Sequence, residues 1–148
     1  SNAGKAVHFS ESEVRPMGRS AQGVRGIKLE KDQQVISLII PEDETTIFTI
    51  SENGFGKRSA TSEFRKTKRG AKGVIAMQAS ERNGQLIGAI QVSNEDEVML
   101  ISSNGILVRT PVEGVSIIGR NTQGVTLIRL IDDQKLVGLA RIEAIEEE

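Results

Sequence analysis

One short motif occurs three times along this chain and constrains its fold more than any other feature. The motif is an Arg, three variable residues, then Gly-Val and an alternating apolar segment, and its copies are Arg19–Val24, Arg69–Val74 and Arg120–Val125. The motif glycines are 50 and 51 residues apart, and Arg58 and Arg109 each lie 11 residues before the next copy. A fixed period that holds through several positions predicts a repeat architecture.

Short apolar segments follow each copy of the motif, and they predict β-strands. Alternating segments indicate half-buried strands and continuous ones indicate strands covered on both faces. A two-residue hairpin turn is predicted at Asn53-Gly54, and further turns are predicted at Asn83-Gly84 and Asn104-Gly105. No window holds a helical apolar period over three turns. The predicted strands are Val24–Leu29, Val35–Ile40, Thr45–Ser51, Phe55–Ala60, Val74–Ala79, Leu86–Val92, Val98–Ile101, Ile106–Thr110, Val125–Leu130 and Leu136–Ile142.

These strands predict an all-β chain built like part of a β-propeller. Four short strands in about 50 residues correspond to one propeller blade, so the chain holds about three four-stranded blades. The repeats run near 10–60, 61–111 and 112–142, with 4–9 belonging to a preceding blade. About three blades do not close a ring, so an open arc or self-association is expected. Two terminal segments are interpreted separately: 1–3 as a cloning remnant and 143–148 as the start of an acidic tail.

The composition argues against most enzymatic and membrane functions. The chain has no Cys and a single histidine, His8, which occupies the repeat position of Arg58 and Arg109. No phosphate-binding P-loop and no EF-hand spacing is present, so no catalytic residue, metal site or cofactor is predicted. No apolar run approaches the roughly 18–20 residues that span a bilayer. These features fit a cytoplasmic location and predict no membrane partner.

The basic residues are the most informative candidates for a binding function. Although 19 Lys and Arg nearly balance 20 Asp and Glu, the 16 residues from Lys57 to Lys72 carry a net charge of +6. A local concentration of positive charge favours a polyanionic partner, and repeated cations along a rim suit the phosphates of bent duplex DNA. The DNA-binding candidates are Arg65, Lys66, Lys68, Arg69, Lys72, Lys57, Arg58, Arg19, Arg109 and Arg120.

Two roles stay open for the repeated arginines of the motif. Arg19, Arg69 and Arg120 either contact phosphate or pair with repeated acids such as Glu13 and Glu63 to fix the blades. For Arg65, Lys66, Lys68 and Lys72, which occur only in the second repeat, the phosphate role is favoured. The motif glycines Gly23, Gly73 and Gly124 are expected to allow a positive φ or a close approach of two backbones.

Three segments carry a resemblance to a known family. The segments 14–27, 53–58 and above all Gly119-Arg-Asn-Thr-Gln-Gly124 resemble the C-terminal domain of the bacterial DNA gyrase A subunit. The resemblance implies a β-pinwheel, a propeller-like ring whose basic rim wraps DNA. The basic box of that family's first blade is absent, and Lys68–Gly73 is its nearest counterpart, so the chain resembles the second half of the domain.

The resemblance also implies what the parent protein does. In that family the wrapping supports negative supercoiling by a type II topoisomerase, which consists of A and B subunits and uses ATP and Mg²⁺. Catalysis lies elsewhere in the parent, so this fragment is expected to be no enzyme by itself. Two alternatives remain open: the C-terminal DNA-binding domain of topoisomerase IV, and a propeller that serves as a protein-interaction platform.

Overall fold

The computed structural model describes residues 1–145, and in this part of the chain the fold is all-β, as predicted. Helical residues in this range are confined to three 3₁₀ turns at equivalent repeat positions: Glu11–Glu13, Thr61–Glu63 and Val112–Gly114. No helix within the range is long and apolar enough to span a membrane. Of the predicted acidic tail, residues 146–148 lie outside the described residues.

Nine strands form three antiparallel sheets within residues 1–145. The strands are β1 Lys5–Ala6, β2 Thr46–Ser51, β3 Phe55–Ala60, β4 Val74–Ile75, β5 Leu86–Val92, β6 Glu97–Ser102, β7 Leu107–Pro111, β8 Val125–Thr126 and β9 Leu136–Ile142. The first sheet pairs β1 with β4, the second has the order β5-β2-β3-β8, and the third has the order β7-β6-β9. Within residues 1–145 only the second sheet has the four strands predicted for a blade, and the first and third sheets have two and three strands.

Each sheet combines strands from more than one sequence repeat. In the second sheet, β2 and β3 come from repeat 10–60, β5 from repeat 61–111 and β8 from repeat 112–142. The pairing Phe55↔Thr126 adds β8 to the outer edge of β3, as Lys5↔Ile75 adds β4 to β1. The first strand after the second motif, β4, and the first strand after the third motif, β8, are therefore donated to earlier blades.

The hairpin between β2 and β3 has a three-residue loop, so the predicted two-residue turn was wrong in length. Gly54 takes φ +88°, whereas Asn53 keeps a negative φ, and a two-residue type I′ turn needs a positive φ at both central positions. The Gly54 N–H donates to the Ser51 carbonyl at 3.2 Å. A Cβ on Gly54 would lie 2.4 Å from the carbonyl oxygen of Ile128, so the turn also needs glycine for space.

Two predicted strands, Val24–Leu29 and Val35–Ile40, are not formed. Their counterparts in later repeats pair with hairpin strands of earlier repeats, and for these two segments the partner positions would fall before residue 1. Val35–Ile40 consequently leaves large apolar side chains in solvent, with Leu38 90% exposed. Strand formation therefore depends on the partner as much as on the local pattern.

The core lies between neighbouring sheets. Between the second and third sheets, fully buried Phe48 and Ile50 of β2 pack against Val98, Leu100 and Leu136. A smaller cluster of Ile47, Phe64 and Ala76 lies between the first and second sheets.

The motif glycines act as the sequence predicts. Gly73 and Gly124 take φ +88° and +76°, and an added Cβ would lie 2.4 Å from the Ala6 carbonyl and 2.6 Å from the Gly56 carbonyl. Both positions therefore need glycine for conformation and for the close approach of the donated strand.

Candidate nucleic-acid interface

The three segments that end at the motif glycines, 10–23, 61–73 and 112–124, are called here the repeat loops, and hydrogen bonds from Arg69 to Glu13 and from Arg120 to Glu63 join neighbouring loops. The second repeat loop contacts the first repeat through the Gly70 N–H, which donates to the Gly26 carbonyl at 2.7 Å. The third repeat loop contacts the second repeat through the Thr122 carbonyl, which accepts from the Gln78 N–H at 2.9 Å, just as the Ala71 carbonyl of the second loop accepts from the Lys28 N–H at 2.9 Å. The loops therefore form one continuous edge along the arc.

Arg69 and Arg120 of the motif join each repeat loop to the repeat before it. The Arg69 side chain donates to the carbonyls of Glu13 at 3.1 Å and Arg25 at 2.6 Å, and its backbone N–H donates to the Glu13 carboxylate at 3.1 Å. Arg120 contacts the equivalent Ile75 carbonyl, and its N–H donates to the Glu63 carboxylate at 3.3 Å. Of the two roles left open by the sequence, these contacts favour the structural one.

Arg58, predicted as a DNA contact, is buried within the protein. Its guanidinium donates to Thr46 Oγ1 at 3.0 Å, to Asn94 Oδ1 at 2.7 Å and to the carbonyls of Val112 and Val115, both at 3.3 Å. Burial lowers the pKa of Arg58 from its ordinary value. Only 4% of the residue is exposed, so a phosphate contact does not fit this position. Arg58 instead fixes the 3₁₀ turn that opens the third repeat loop.

Lys57 is likewise buried, with no exposed surface, so the predicted phosphate contact does not fit this residue either. Its ammonium donates to the Gly119 carbonyl at 2.8 Å and to Thr122 Oγ1 at 3.1 Å, and it also contacts the Arg120 carbonyl. Burial lowers the pKa of Lys57 to about 8, although Glu63 partly opposes the shift. These hydrogen bonds attach the Gly119–Gly124 loop to strand β3.

His8 takes the place of Arg58 in the first blade. Its Nδ1 lies 2.6 Å from the carbonyl oxygen of Phe64, the residue equivalent to Val115, and its own carbonyl accepts from the Thr67 N–H at 2.7 Å. The interpretation of His8 as a substituted repeat position is therefore supported by its contacts.

Arg109 occupies the repeat position of the buried Arg58, and Arg19 occupies that of Arg69 and Arg120. Unlike these counterparts, both residues lie near the ends of the arc. Arg109, with 59% of its side chain exposed, forms an ion pair with Glu97. Within residues 1–145 the Arg19 side chain makes no hydrogen bond or ion pair, and it is exposed. Both remain accessible to a ligand, and their contact with DNA stays a prediction.

The second repeat loop carries the exposed cations. Arg65, Lys66 and Lys68 are exposed, and within residues 1–145 none of them forms an ion pair or side-chain hydrogen bond. Lys72 lies 3.6 Å from Glu30, with both side chains 66% exposed, which is a weak surface pair. Arg65, Lys66 and Lys68 are called the loop cluster below.

Sequence reasoning missed Arg15 and Arg25 as candidate contacts. Arg15 is one repeat before Arg65, and the Arg25 side chain lies within 3.9 Å of the Cβ position of Gly70. Both residues are exposed. The sequence did hold one sign of Arg25. In the predicted strand Val24–Leu29 this arginine lies on the same face as the apolar residues Ile27 and Leu29.

Asp96, which lies just before β6, is a buried carboxylate with several hydrogen-bond donors. Asp96 is 4% exposed and accepts from the Ser93 N–H at 2.7 Å and from Arg141 Nε at 2.7 Å. Burial alone would raise the pKa of Asp96, but these donors, the Ala144 N–H and the charge of Arg141 lower it. Within the described residues no three acidic or histidine side chains meet in a way that could hold a metal ion.

The family profile described as "DNA gyrase C-terminal domain, beta-propeller" matches residues 1–42, 45–93 and 96–143. The second and third matches each cover one hairpin and the two segments after it, so they have the same period as the sequence repeats but begin at a different point in it. Among curated relatives, the DNA gyrase A subunit of Pseudomonas aeruginosa is 58% identical over 143 residues, covering 97% of this chain and 16% of the relative. The Escherichia coli protein of the same name is 49% identical over 146 residues, covering 98% and 17%.

Solved structures agree with these sequence matches. A gyrase A C-terminal domain superposes with a TM-score of 0.87 at 31% identity, covering 96% of this chain and 48% of that one. The C-terminal domain of topoisomerase IV has a TM-score of 0.88 at 22% identity, covering 96% and 45%, which shows a shared fold. The chain spans about a sixth of the length of the curated relatives it matches. The chain belongs to the DNA gyrase C-terminal domain family.

Proposed function

We propose that this domain binds duplex DNA along the edge formed by the repeat loops. The observation that carries the proposal is the loop cluster, in which Arg65, Lys66 and Lys68 are exposed side by side without an acidic partner in the described residues. The family name and the relatives named as DNA gyrase support the same ligand.

The chemistry of this edge suits recognition of the DNA backbone. Lysine and arginine side chains neutralise phosphates and release counterions, which gives affinity without reading base edges. Arg15, Arg25 and Arg19 extend the positive charge along the arc from the loop cluster. A duplex that follows this curved edge is bent, so we infer that the domain wraps DNA.

In the full-length gyrase A subunit, this wrapping would support ATP-dependent negative supercoiling together with the gyrase B subunit. The domain positions DNA in this scheme, while cleavage and ATP hydrolysis belong to other parts of the complex. The loop anchors Lys57, Arg58, Arg69 and Arg120 contribute indirectly, because they hold the repeat loops in place.

The experiment that tests the proposal compares two variants with equal loss of charge. Lys66→Ala/Lys68→Ala removes two cations of the loop cluster, and Lys31→Ala/Arg129→Ala removes two exposed cations outside the repeat loops. Binding of a labelled duplex is titrated by fluorescence anisotropy over a range of salt concentrations. If six phosphates are neutralised, log Kd changes with log salt at a slope of about 5, and the cluster variant reduces that slope by about 2.

The control variant is expected to retain the slope of the unaltered domain. Equal weakening by both variants would show that only net charge matters, and absence of binding at low salt would overturn the proposal. Retention of a protein partner without duplex binding would instead support the interaction-platform alternative. A change in sequence preference would point to base readout.

A further inference from the structure

The second repeat loop begins beside an acidic segment. Its first residue, Thr61, donates through Oγ1 to the Thr45 carbonyl at 3.0 Å, directly after the segment Glu42–Glu44. All three residues of that segment are exposed acids, and exposed Glu63 adds a further negative charge in the loop itself. The start of the loop therefore repels a phosphate backbone.

The third repeat loop begins in the same way. The N–H of Val112, its first residue, donates to the Asp96 carbonyl at 2.9 Å. Glu95, the residue equivalent to Glu44, is exposed here too, as is Glu113 within the loop. Asp96 itself is buried in an ion pair, so the exposed charge comes from the two glutamates. An acidic start is thus a repeated feature of these loops.

The other end of the second repeat loop contacts the first repeat. The Lys28 N–H donates to the Ala71 carbonyl at 2.9 Å, close to the end of the loop. Gln78, one repeat later, makes the equivalent hydrogen bond to the Thr122 carbonyl, also at 2.9 Å. Residues 28 and 78 thus hold the same place relative to the loop of the following repeat.

The side chain at this repeat position reaches the neighbouring loop. Gln78 Nε2 donates to Asn121 Oδ1 at 3.0 Å, so the contact with the third loop is between two neutral amides. The equivalent of Asn121 in the second loop is Gly70, which offers no side chain. Lys28 is exposed, and its side chain forms no ion pair or hydrogen bond with another residue of the range 1–145. A cation therefore takes the place of the amide at the second loop.

The charged groups near Lys28 leave this end of the loop basic. Glu30, two residues further along, lies 3.6 Å from Lys72, and the side chains of both are 66% exposed. Such a surface pair is weak and is screened by salt, so a phosphate competes with Glu30 for Lys72. With Lys28 included, two lysines accompany one glutamate here, just after the loop cluster in the chain.

We propose that the duplex crosses the second repeat loop over the loop cluster and this basic end, and that Lys28 of the first repeat binds a phosphate there. This inference rests on the DNA-binding function proposed above. Lys28 acts as a contact to the DNA backbone that carries no base specificity. The acidic start of the loop stays outside the DNA path, so the edge has a preferred side on which the duplex lies.

Photocrosslinking tests the path, because the chain contains no cysteine and a single introduced thiol is labelled uniquely. Lys28→Cys and Asp43→Cys each replace an exposed residue, one near either end of the second repeat loop. Both thiols receive the same azidophenacyl group, and the labelled domains are irradiated with a radiolabelled duplex. The Lys28→Cys variant should crosslink to DNA about tenfold more than the Asp43→Cys variant, because the basic end concentrates the polyanion.

The salt dependence of binding tests the contribution of Lys28 itself. Lys28→Ala should reduce the slope of log Kd against log salt by about 1, whereas Lys28→Arg keeps the charge and should retain the slope. Lys31→Ala is the matched control, because it removes an exposed lysine that makes no described hydrogen bond to a repeat loop.

Equal crosslinking by the two cysteine variants, or stronger crosslinking by Asp43→Cys, would overturn the inferred path and leave the proposed function intact. An unchanged slope in Lys28→Ala, or an equal reduction in Lys31→Ala, would contradict the phosphate contact of Lys28. If the unaltered domain binds no duplex at low salt, this inference fails together with the proposed function.

Discussion

Nζ of Lys57 in β3 donates a hydrogen bond of 2.8 Å to the carbonyl oxygen of Gly119, which lies in the third repeat loop. The same ammonium contacts the Arg120 carbonyl and the Thr122 hydroxyl, so one buried cation binds three residues of the Gly119–Gly124 loop. A residue that sequence analysis assigns to the surface is therefore an internal support of it.

Replacing Lys57 by Met should destabilise the domain, because the carbonyls of Gly119 and Arg120 lose the buried ammonium that donates to them. The expected loss in the free energy of unfolding is about 1–3 kcal/mol, measured by urea denaturation. Lys66→Met is the matched control on the surface and should change the same quantity by less than about 0.5 kcal/mol. Equal effects of the two substitutions would contradict the assigned role.

The lowered pKa of Lys57 predicts a pH dependence of stability. The folded-state value of about 8 lies below the ordinary value of 10.5, so between these pH values the unfolded chain binds more protons. The contribution of this amine is least favourable below pH 8, rises with pH through this window and levels off above pH 10.5. The unfolding free energy of the unaltered domain minus that of Lys57→Met should therefore increase over the window. A difference that does not vary with pH would refute the lowered pKa.

Arg58 and Arg109 occupy one repeat position and should respond differently to alanine. Arg58→Ala strands the Val112 and Val115 carbonyls and should lower the unfolding free energy by about 2–4 kcal/mol. Arg109→Ala removes an exposed pair with Glu97 and should cost less than about 1 kcal/mol. Chemical denaturation of both variants measures the contrast, and a larger loss for Arg109 would disprove it.

Alanine substitutions at Gly54 and Gly105 distinguish the cost of backbone strain from the cost of steric crowding. Both have a positive φ, +88° and +83°, but a Cβ on Gly54 meets the Ile128 carbonyl at 2.4 Å, whereas nothing lies within 4 Å at Gly105. Gly105→Ala should cost about 1 kcal/mol for the left-handed conformation, and Gly54→Ala at least about 1 kcal/mol more. Thermal unfolding of both variants provides the comparison, and equal losses would show that the crowding is relieved.

Alanine substitutions at Arg120 and Arg19 should show that the same motif position serves stability in one repeat and DNA binding in another. Arg120→Ala removes a donor to the Ile75 carbonyl and should lower the unfolding free energy by about 1–2 kcal/mol. Arg19→Ala should leave stability within about 0.5 kcal/mol but reduce the salt dependence of duplex binding by about one phosphate. Loss of stability without loss of binding in Arg19→Ala would reverse this assignment.

The periodic and local features of the fold could be predicted from the sequence. The strands β3 and β5 have the predicted bounds, because hydrophobic alternation and nearby turn residues mark both ends. The role of Gly73 and Gly124 also followed from their position before a strand, where only glycine allows such a close approach.

Features that depend on distant partners could not be predicted. Arg58 and Arg109 are identical in their local sequence position, yet only Arg58 has the turn of a later repeat packed over it. Val35–Ile40 has a clear strand pattern and still lacks a ladder, since no described strand lies beside it. For the candidate interface, the local concentration of positive charge identified the loop cluster. The burial of Lys57 could not be predicted, because it depends on packing against the Gly119–Gly124 loop of the third repeat.

Donation of β8 to the second sheet has a consequence for how the domain folds. The paired residues Phe55 and Thr126 are 71 positions apart in the sequence. The second sheet is therefore complete only when a strand from beyond the whole following repeat has paired with β3. Such non-local pairing slows folding, because loop-closure entropy is lost before the contact forms. It also couples the repeats, so a single blade cut from the array would lack a strand. We therefore expect the smallest cooperative unit to exceed one repeat, unlike solenoid arrays in which neighbouring units simply stack.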